Sequence, residues 1–374
     1  MHIIIVGTAF PLRGGIAHYN ALLAAELSAH HRVETITFKR QYPAFLFPGK
    51  TQEEPGAGPH LEPAPCLIDS INPLTWFSVG REIRRRRPDL LVFKYWLPFF
   101  GPCFGTIARV AARGTHTRVL FICDNVLPHE RRIFDRLFTR YAFTAVDFFI
   151  AQSDAVERDL KAFWPQATLR NVPHPIYSMF GPGTEKAEAR RALGLTSPRV
   201  LLFFGYVRRY KGLHVLLDAF AQVQSLVDAH LVVAGEFYDR EESYRDQLHR
   251  LGLENNVTIC ADYLPNERVP LYFSAADAVV LPYLSATQSG IAQIAFYYDV
   301  PIIATDVGGL AEVVRDGVTG LVVPPADVAA LAGAIQRFYG EQMETRLRQG
   351  VRREKERYSW ARLREAIEEL CGIR

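Results

Sequence analysis

Ten short apolar runs alternating with helix-like stretches constrain this chain more than any other feature. In the first half they are His2–Val6, Val33–Phe38, Leu90–Lys94, Val119–Cys123 and Phe148–Ala151. In the second they are Val200–Phe204, His230–Ala234, Val257–Ile259, Ala278–Leu281 and Ile302–Thr305. Each run is short and rich in β-branched or aromatic residues, the pattern of a strand buried on both faces of a parallel sheet. Helical apolar faces follow at Leu22–Leu27, Phe104–Ala112 and Ile133–Phe143, and then at Leu213–Val223, Tyr244–Leu251, Val269–Ser274 and Gly290–Tyr298. The same β-α-β grammar used twice predicts two doubly wound, Rossmann-like α/β domains in tandem.

Length agrees, since 374 residues exceed what one growing hydrophobic core accommodates. Two prolines one residue apart in Asn171-Val172-Pro173-His174-Pro175-Ile176 forbid a helix and stiffen the chain, so the domain boundary is expected at 172/173. Gln41 to Thr75 departs from the grammar, with Pro43, Pro48, Pro55, Pro59, Pro63, Pro65 and Pro73 among Gly and Glu. It reads as a long irregular loop, either a lid or a disordered segment.

With 49% hydrophobic and 22% charged residues the composition is that of an ordinary globular protein. No run of 18 uncharged apolar residues occurs, and Met1–Gly7 lacks the basic start and long apolar core of a signal peptide. The scattered cysteines Cys66, Cys103, Cys123, Cys260 and Cys371 form no CxxC pair, which predicts a reducing cytoplasm and argues against structural zinc. Charge is uneven: 21 basic against 15 acidic side chains up to His174, then 22 against 25. A basic first half suits a phosphorylated substrate or an anionic membrane surface; nucleic acid lacks any supporting motif.

Chemistry concentrates where strands end. Gly205-Tyr206-Val207-Arg208-Arg209-Tyr210-Lys211-Gly212 sets Arg208 and Lys211 beside free backbone N–H groups, a place for a diphosphate or simply a solvated basic turn. Gly14 and Gly15 remove side chains where the first helix begins, which fits either ligand approach or a flexible loop. His129, in Cys123-Asp124-Asn125-Val126-Leu127-Pro128-His129-Glu130, is a polar candidate at a sheet edge, while Glu130 suits a helix start. Thr287, Ser289 and Gly290 offer donors to a phosphate or cap the helix that follows.

In order, the Gly14-Gly15 loop, Pro128-His129-Glu130, Gly205–Gly212, Ala286–Gly290, Pro301–Glu312 and Asp316–Gly320 resemble the motifs of the retaining nucleotide-sugar glycosyltransferases of family 4. The resemblance covers nearly the whole chain. It implies the GT-B fold, with two Rossmann-like domains facing across a cleft. It also implies an acceptor-side domain over 1–172, a donor-side domain over 173–355, and a last helix within 356–374 packing back on the first domain. A UDP- or GDP-sugar donor and a glycan, lipid-linked or small-molecule acceptor follow, with no metal or other cofactor. Arg208 and Lys211 would neutralise the leaving diphosphate and His129 would touch the donor sugar. Gly14, Gly15, Gly205, Thr287, Ser289, Gly290, Ile291 and Gln293 would line the phosphates or sugar, and Ala261, Asp262 and Tyr263 the nucleobase. The leaving phosphate itself would take the acceptor's proton in a front-face attack.

Two departures stand out. The family commonly places Arg directly after the first Gly, where this chain has Tyr206, and its pair of glutamates is replaced by Ala286 and Ile294. Either Gln293 or another group substitutes for the glutamate that holds the ribose in that family, or ribose recognition differs here. The competing readings are a catalytically impaired sugar-nucleotide-binding protein and another GT-B enzyme, an epimerase or phosphorylase. Arg81, Arg84, Arg85, Arg86 and Arg87, followed by Tyr95-Trp96-Leu97-Pro98-Phe99-Phe100, suggest either peripheral contact with the inner face of an anionic membrane or a charged helix end before a buried loop.

Overall fold

The computed structural model describes residues 1–43, 52–53, 63–127, 133–262, 264–286 and 288–372. The expectations placed on His129, Tyr263 and Thr287, and on most of the proline-rich stretch, lie outside the described residues. The chain divides into two compact units, Met1–Pro175 with Ser359–Arg374, and Ile176–Tyr358. The break falls after the second proline of the linker.

In the first unit the strands are β1 (His2–Val6), β2 (Arg32–Arg40), β3 (Cys66–Asp69), β4 (Leu90–Tyr95), β5 (Arg118–Cys123), β6 (Phe148–Ala151) and β7 (Leu169–Asn171). They form one parallel sheet in the order β3-β2-β1-β4-β5-β6-β7. β1 and β4 are buried throughout apart from the half-buried His2, because helices cover both faces of the sheet. β3 corrects the expectation of an irregular loop up to Thr75. Only Ile68 of that strand is buried, and an edge strand so short shows no apolar period. The helix Pro73–Arg86 starts right behind it, capped by the Asn72 side chain.

Of the two readings of Tyr95 to Phe100, the buried loop is the one found. These aromatics are core, not surface: the Phe100 ring lies 5.4 Å from Phe38, 5.6 Å from Phe104 and 4.5 Å from Trp96. Tyr95 Oη is buried 2.9 Å from Thr139 Oγ1. The last helix, Trp360–Leu370, belongs to this unit. Trp360 packs 5.0 Å from Tyr19, and Arg364 pairs with Glu26 at 3.1 Å.

The second unit carries β8 (Arg199–Phe204), β9 (Ala229–Ala234), β10 (Val257–Cys260), β11 (Ala278–Leu281), β12 (Ile302–Thr305) and β13 (Gly320–Val323). Its parallel order is β10-β9-β8-β11-β12-β13. Helices Leu213–Val227 and Val328–Gly340 pack together over one face, joined to the core through Leu216, Phe220, Ile335 and Phe338.

Gly212 opens the helix behind β8 with φ 70°, and a Cβ there would overlap the Pro282 carbonyl oxygen. Gly252 ends a helix at φ 64° with open space around it. Gly252→Ala is therefore expected to cost only the left-handed backbone penalty, about 1–2 kcal/mol. Gly212→Ala adds a clash with backbone and is expected to cost at least twice as much in denaturant melts. Equal losses would refute the close packing of the β8 and β11 loops.

Candidate functional site

In each sheet the strand order reverses once, between β1 and β4 and between β8 and β11. Connections leave such a pair in opposite directions, so a crevice opens beyond the carboxyl ends of the two strands. In the second unit the loops at that point are Gly205–Gly212 behind β8 and Pro282–Ser289 behind β11. They are tied directly, since Leu284 N donates to Tyr210 O at 2.6 Å. Gly205 has φ 96°, and a Cβ on it would lie 3.0 Å from Ile291 Cδ1 and 3.4 Å from Lys211 Nζ. A Cβ on Gly235, at φ 146°, would overlap the Gly205 carbonyl. These glycines let strand ends, Lys211 and the start of the next helix share one place.

Lys211 sits on a single 3-10 turn, Arg209–Lys211, and its side chain is buried. Nζ lies 5.5 Å from the centroid of the Tyr283 ring, the outer range of a cation–π contact. Among the described residues no carboxylate pairs with it. Burial, and after it the charge of Arg208, lowers its ammonium from 10.5 to about 8.

Arg208 is exposed, with its guanidinium 4.8 Å from the Tyr238 ring centroid. Tyr238 in turn stacks on Tyr206 at 4.7 Å. Tyr206, standing where the family commonly has Arg, thus supports the platform on which Arg208 rests. Sequence reasoning had no signal for Tyr238, which is brought in by the pairing of Val207 with Phe237.

Ser289 caps the helix Gly290–Tyr297, its Oγ accepting from Ala292 N and lying 3.4 Å from Tyr283 Oη. Gly290 packs close to Tyr177, where a Cβ would approach Cε2 to 3.1 Å. On the first turn Gln293 is fully buried, and neither its Oε1 nor its Nε2 has a hydrogen-bond partner among the described residues. A buried amide left this way costs on the order of 1–3 kcal/mol per group unless something else satisfies it. Ala286 and Ile294, in the places of the missing glutamates, are buried apolar side chains. Ala261 and Asp262 leave the carboxyl end of β10, two strands from β8 along the same edge.

The first unit has a second polar cluster at its carboxyl edge. Gly14 precedes the helix Gly15–Ser28 at φ 108° with open space where a Cβ would stand. Lys94, near the end of β4, is buried with Nζ 2.6 Å from Asp124 and 3.5 Å from the Tyr19 ring centroid. Lys94 also donates to Gln152 Oε1, and Gln152 Nε2 donates to Tyr19 Oη at 2.8 Å. His174 packs on Tyr19 at 5.0 Å, and burial followed by the Lys94 charge lowers it to about 4. Gly14, Asp124 and His174 stood in sequence motifs; for Lys94 the signal was a lysine inside an apolar strand, and Tyr19 and Gln152 had none.

Family models described as "Glycosyl transferase 4-like domain" and "Glycosyl transferases group 1" match residues 14–174 and 198–341. The chain belongs to the group 1 glycosyltransferases. The D-inositol 3-phosphate glycosyltransferase of Acidothermus cellulolyticus is 28% identical over 96% of this chain and 85% of its own. The same-named protein of Corynebacterium urealyticum is 30% identical over 66% and 60%. The chain thus spans only 60%, 51% and 45% of the relatives from C. urealyticum, C. diphtheriae and Geodermatophilus obscurus.

Among solved structures, HepE from Anabaena in complex with UDP superposes with a TM-score of 0.77 at 18% identity, covering 100% of both chains. Sucrose-phosphate synthase from Thermosynechococcus elongatus gives 0.74 at 20%, over 99% and 98%. These likenesses give this group 1 glycosyltransferase the GT-B fold.

The buried ammonium has a pH signature. Between about 8 and 10.5 the unfolded chain keeps a proton on Lys211 that the folded chain has lost. The burial penalty is therefore fully felt below about 8 and fades as pH rises toward 10.5. Lys211→Met is expected to stabilise the ligand-free protein by on the order of 3 kcal/mol at neutral pH, with the gain shrinking in alkali. Denaturant melts at a series of pH values check this; a gain independent of pH would show that the lysine is not held as described.

Proposed function

We propose that this chain transfers a sugar from a nucleoside diphosphate donor to an acceptor hydroxyl, with retention of configuration and the donor's diphosphate on Lys211 and Arg208. One observation carries the proposal: an ammonium buried at a switch point of a parallel sheet, with no carboxylate paired to it among the described residues. A diphosphate supplies the missing counter-charge. Lys211 from inside and Arg208 from its tyrosine platform stabilise the negative charge that grows on the leaving group as the glycosidic bond breaks. Two side-chain cations take that role, so the scheme needs no divalent ion.

Gln293 extends the reading. Its buried amide, without partners of its own, suits the ribose hydroxyls that a glutamate would otherwise accept from. Ser289, Gly290 and Thr287 would offer donors to the phosphates at the helix start, with Gly205 and Ile291 beneath them. Gly14 and Gly15 would let the donor approach the first unit's backbone, and His129 would meet the sugar. Ala261, Asp262 and Tyr263 would border the base. That HepE was solved with UDP and with UDP-glucose supports a nucleotide-sugar donor. As the resemblance to the retaining family implies, the acceptor's proton would pass to the departing phosphate oxygen in a front-face displacement. The acceptor belongs to the first unit, whose basic balance suits a phosphorylated or lipid-linked molecule.

The buried apolar Ala286 and Ile294 favour one rival, a sugar-nucleotide-binding protein with impaired turnover. A panel of sugar nucleotides screened by thermal shift, followed by donor hydrolysis and transfer assays, separates the two. Slow hydrolysis is expected with at least one donor, persisting in excess chelator and falling by about 100-fold or more in Lys211→Ala. Tight donor binding without hydrolysis or transfer would establish the rival.

A further inference from the structure

Helices Pro73–Arg86, Gly101–Ala112 and Asp135–Phe143 form one layer on the first unit's sheet. Glycines set their spacing. A Cβ on Gly80 would come within 2.6 Å of Val110 Cβ, one on Gly105 within 2.9 Å of Ala142 Cα, and one on Gly101 would overlap the Phe138 carbonyl. Arg109 locks the middle helix to the third, donating to Gly105 O at 2.9 Å and to Tyr141 O and Thr144 Oγ1. All three helices follow strands of one parallel sheet, so they run in the same direction.

The outward face of this layer is unusual for a soluble surface. On the first helix Leu74 is 77% exposed and Phe77 45%, and on the third Phe134 is 59% exposed, Leu137 61% and Tyr141 40%. The inward stripes are Val79, Gly80 and Ile83 on one helix and Asp135, Thr139, Ala142 and Phe143 on the other. Large apolar side chains therefore stand on the solvent side of two amphipathic helices.

Toward the helix ends the same face turns cationic. Arg81, Arg84, Arg85 and Arg87 line a surface cavity of about 850 Å³ with Thr115 and His116. Arg85 pairs with Glu82 at 2.9 Å, but Arg81, Arg84, Arg87, Arg113, Arg136 and Arg140 have no acidic partner among the described residues. Uncompensated arginines beside exposed apolar groups complement a surface that is apolar beneath and anionic above.

We propose that this three-helix face docks on the surface of a bilayer containing anionic lipid. Leu74, Phe77 and Leu137 enter the boundary of the acyl region, and the arginines meet the headgroups. Tyr95 to Phe100, one of the two places where the sequence left a membrane contact open, take no part, and the apolar part comes from two helices on either side of the middle one. No helix among the described residues is long and apolar enough to cross a membrane.

Sedimentation of the full chain with vesicles tests this. Binding is expected to phosphatidylcholine vesicles doped with phosphatidylglycerol and to weaken with salt, with little binding to phosphatidylcholine alone. Arg81→Glu with Arg84→Glu should lower partitioning at low salt by on the order of tenfold or more. Leu74→Ser with Leu137→Ser should remove the salt-resistant remainder. All four are exposed side chains outside the donor site, so unchanged melting and unchanged donor binding certify the fold. Wild-type protein that stays in the supernatant at low salt would overturn the proposal. So would a lipid-free dimer abolished by Leu74→Ser with Leu137→Ser, which would identify a second copy as the occupant.

Discussion

A strand hydrogen-bonded on both sides within a parallel sheet must send its connection over one face and back, and that constraint organises both units. Wherever the winding reverses, two neighbouring loops diverge and leave backbone N–H groups and side chains pointing into a gap. β8 and β11 form such a pair, and so do β1 and β4. The polar groups of greatest interest gather at these two places.

At β8 and β11 the gap is narrowed by glycine. Gly205, Gly212 and Gly235 all take positive φ, and each stands where a side chain would strike a neighbouring loop. Their absence of side chains lets Lys211 fold back beneath Ile291 and beside Tyr283. An ammonium in that position is unfavourable until an anion arrives, and the lowered proton affinity of Lys211 records this. Gln293 is in a similar condition, a buried amide without partners among the described residues. Two buried polar groups so placed at one sheet edge are what the proposed donor, with its charge and hydroxyls, would satisfy.

The cluster in the first unit behaves differently. Lys94 is also buried, yet Asp124, Gln152 and the Tyr19 ring satisfy it. Breaking such a pair usually costs several kcal/mol because a charge is left alone in a low dielectric. The two lysines contrast a buried charge whose partners are supplied with one that has no carboxylate beside it among the described residues. The helix layer on the other side of the first sheet extends the contrast to the surface, where Arg109 is consumed in packing and Arg81 and Arg84 are left to the solvent.

Much of this was legible from residues alone. The buried strands of both sheets announced themselves because strands covered on two faces are continuously apolar. β3, β7 and β13 did not, since each lies at a sheet edge and is short, and only part of such a strand need be apolar. The Gly205–Gly212 loop marked a place for a diphosphate through its glycines and cations, and the loss of the family's glutamates was plain at Ala286 and Ile294. Tertiary structure decided the rest. Whether a cation is buried, which ring carries Arg208, and whether an aromatic run such as Tyr95 to Phe100 faces core or solvent all depend on neighbours distant along the chain. Local sequence determines the period and chemistry of an element, whereas packing determines which of its faces is hidden and which charges remain without partners.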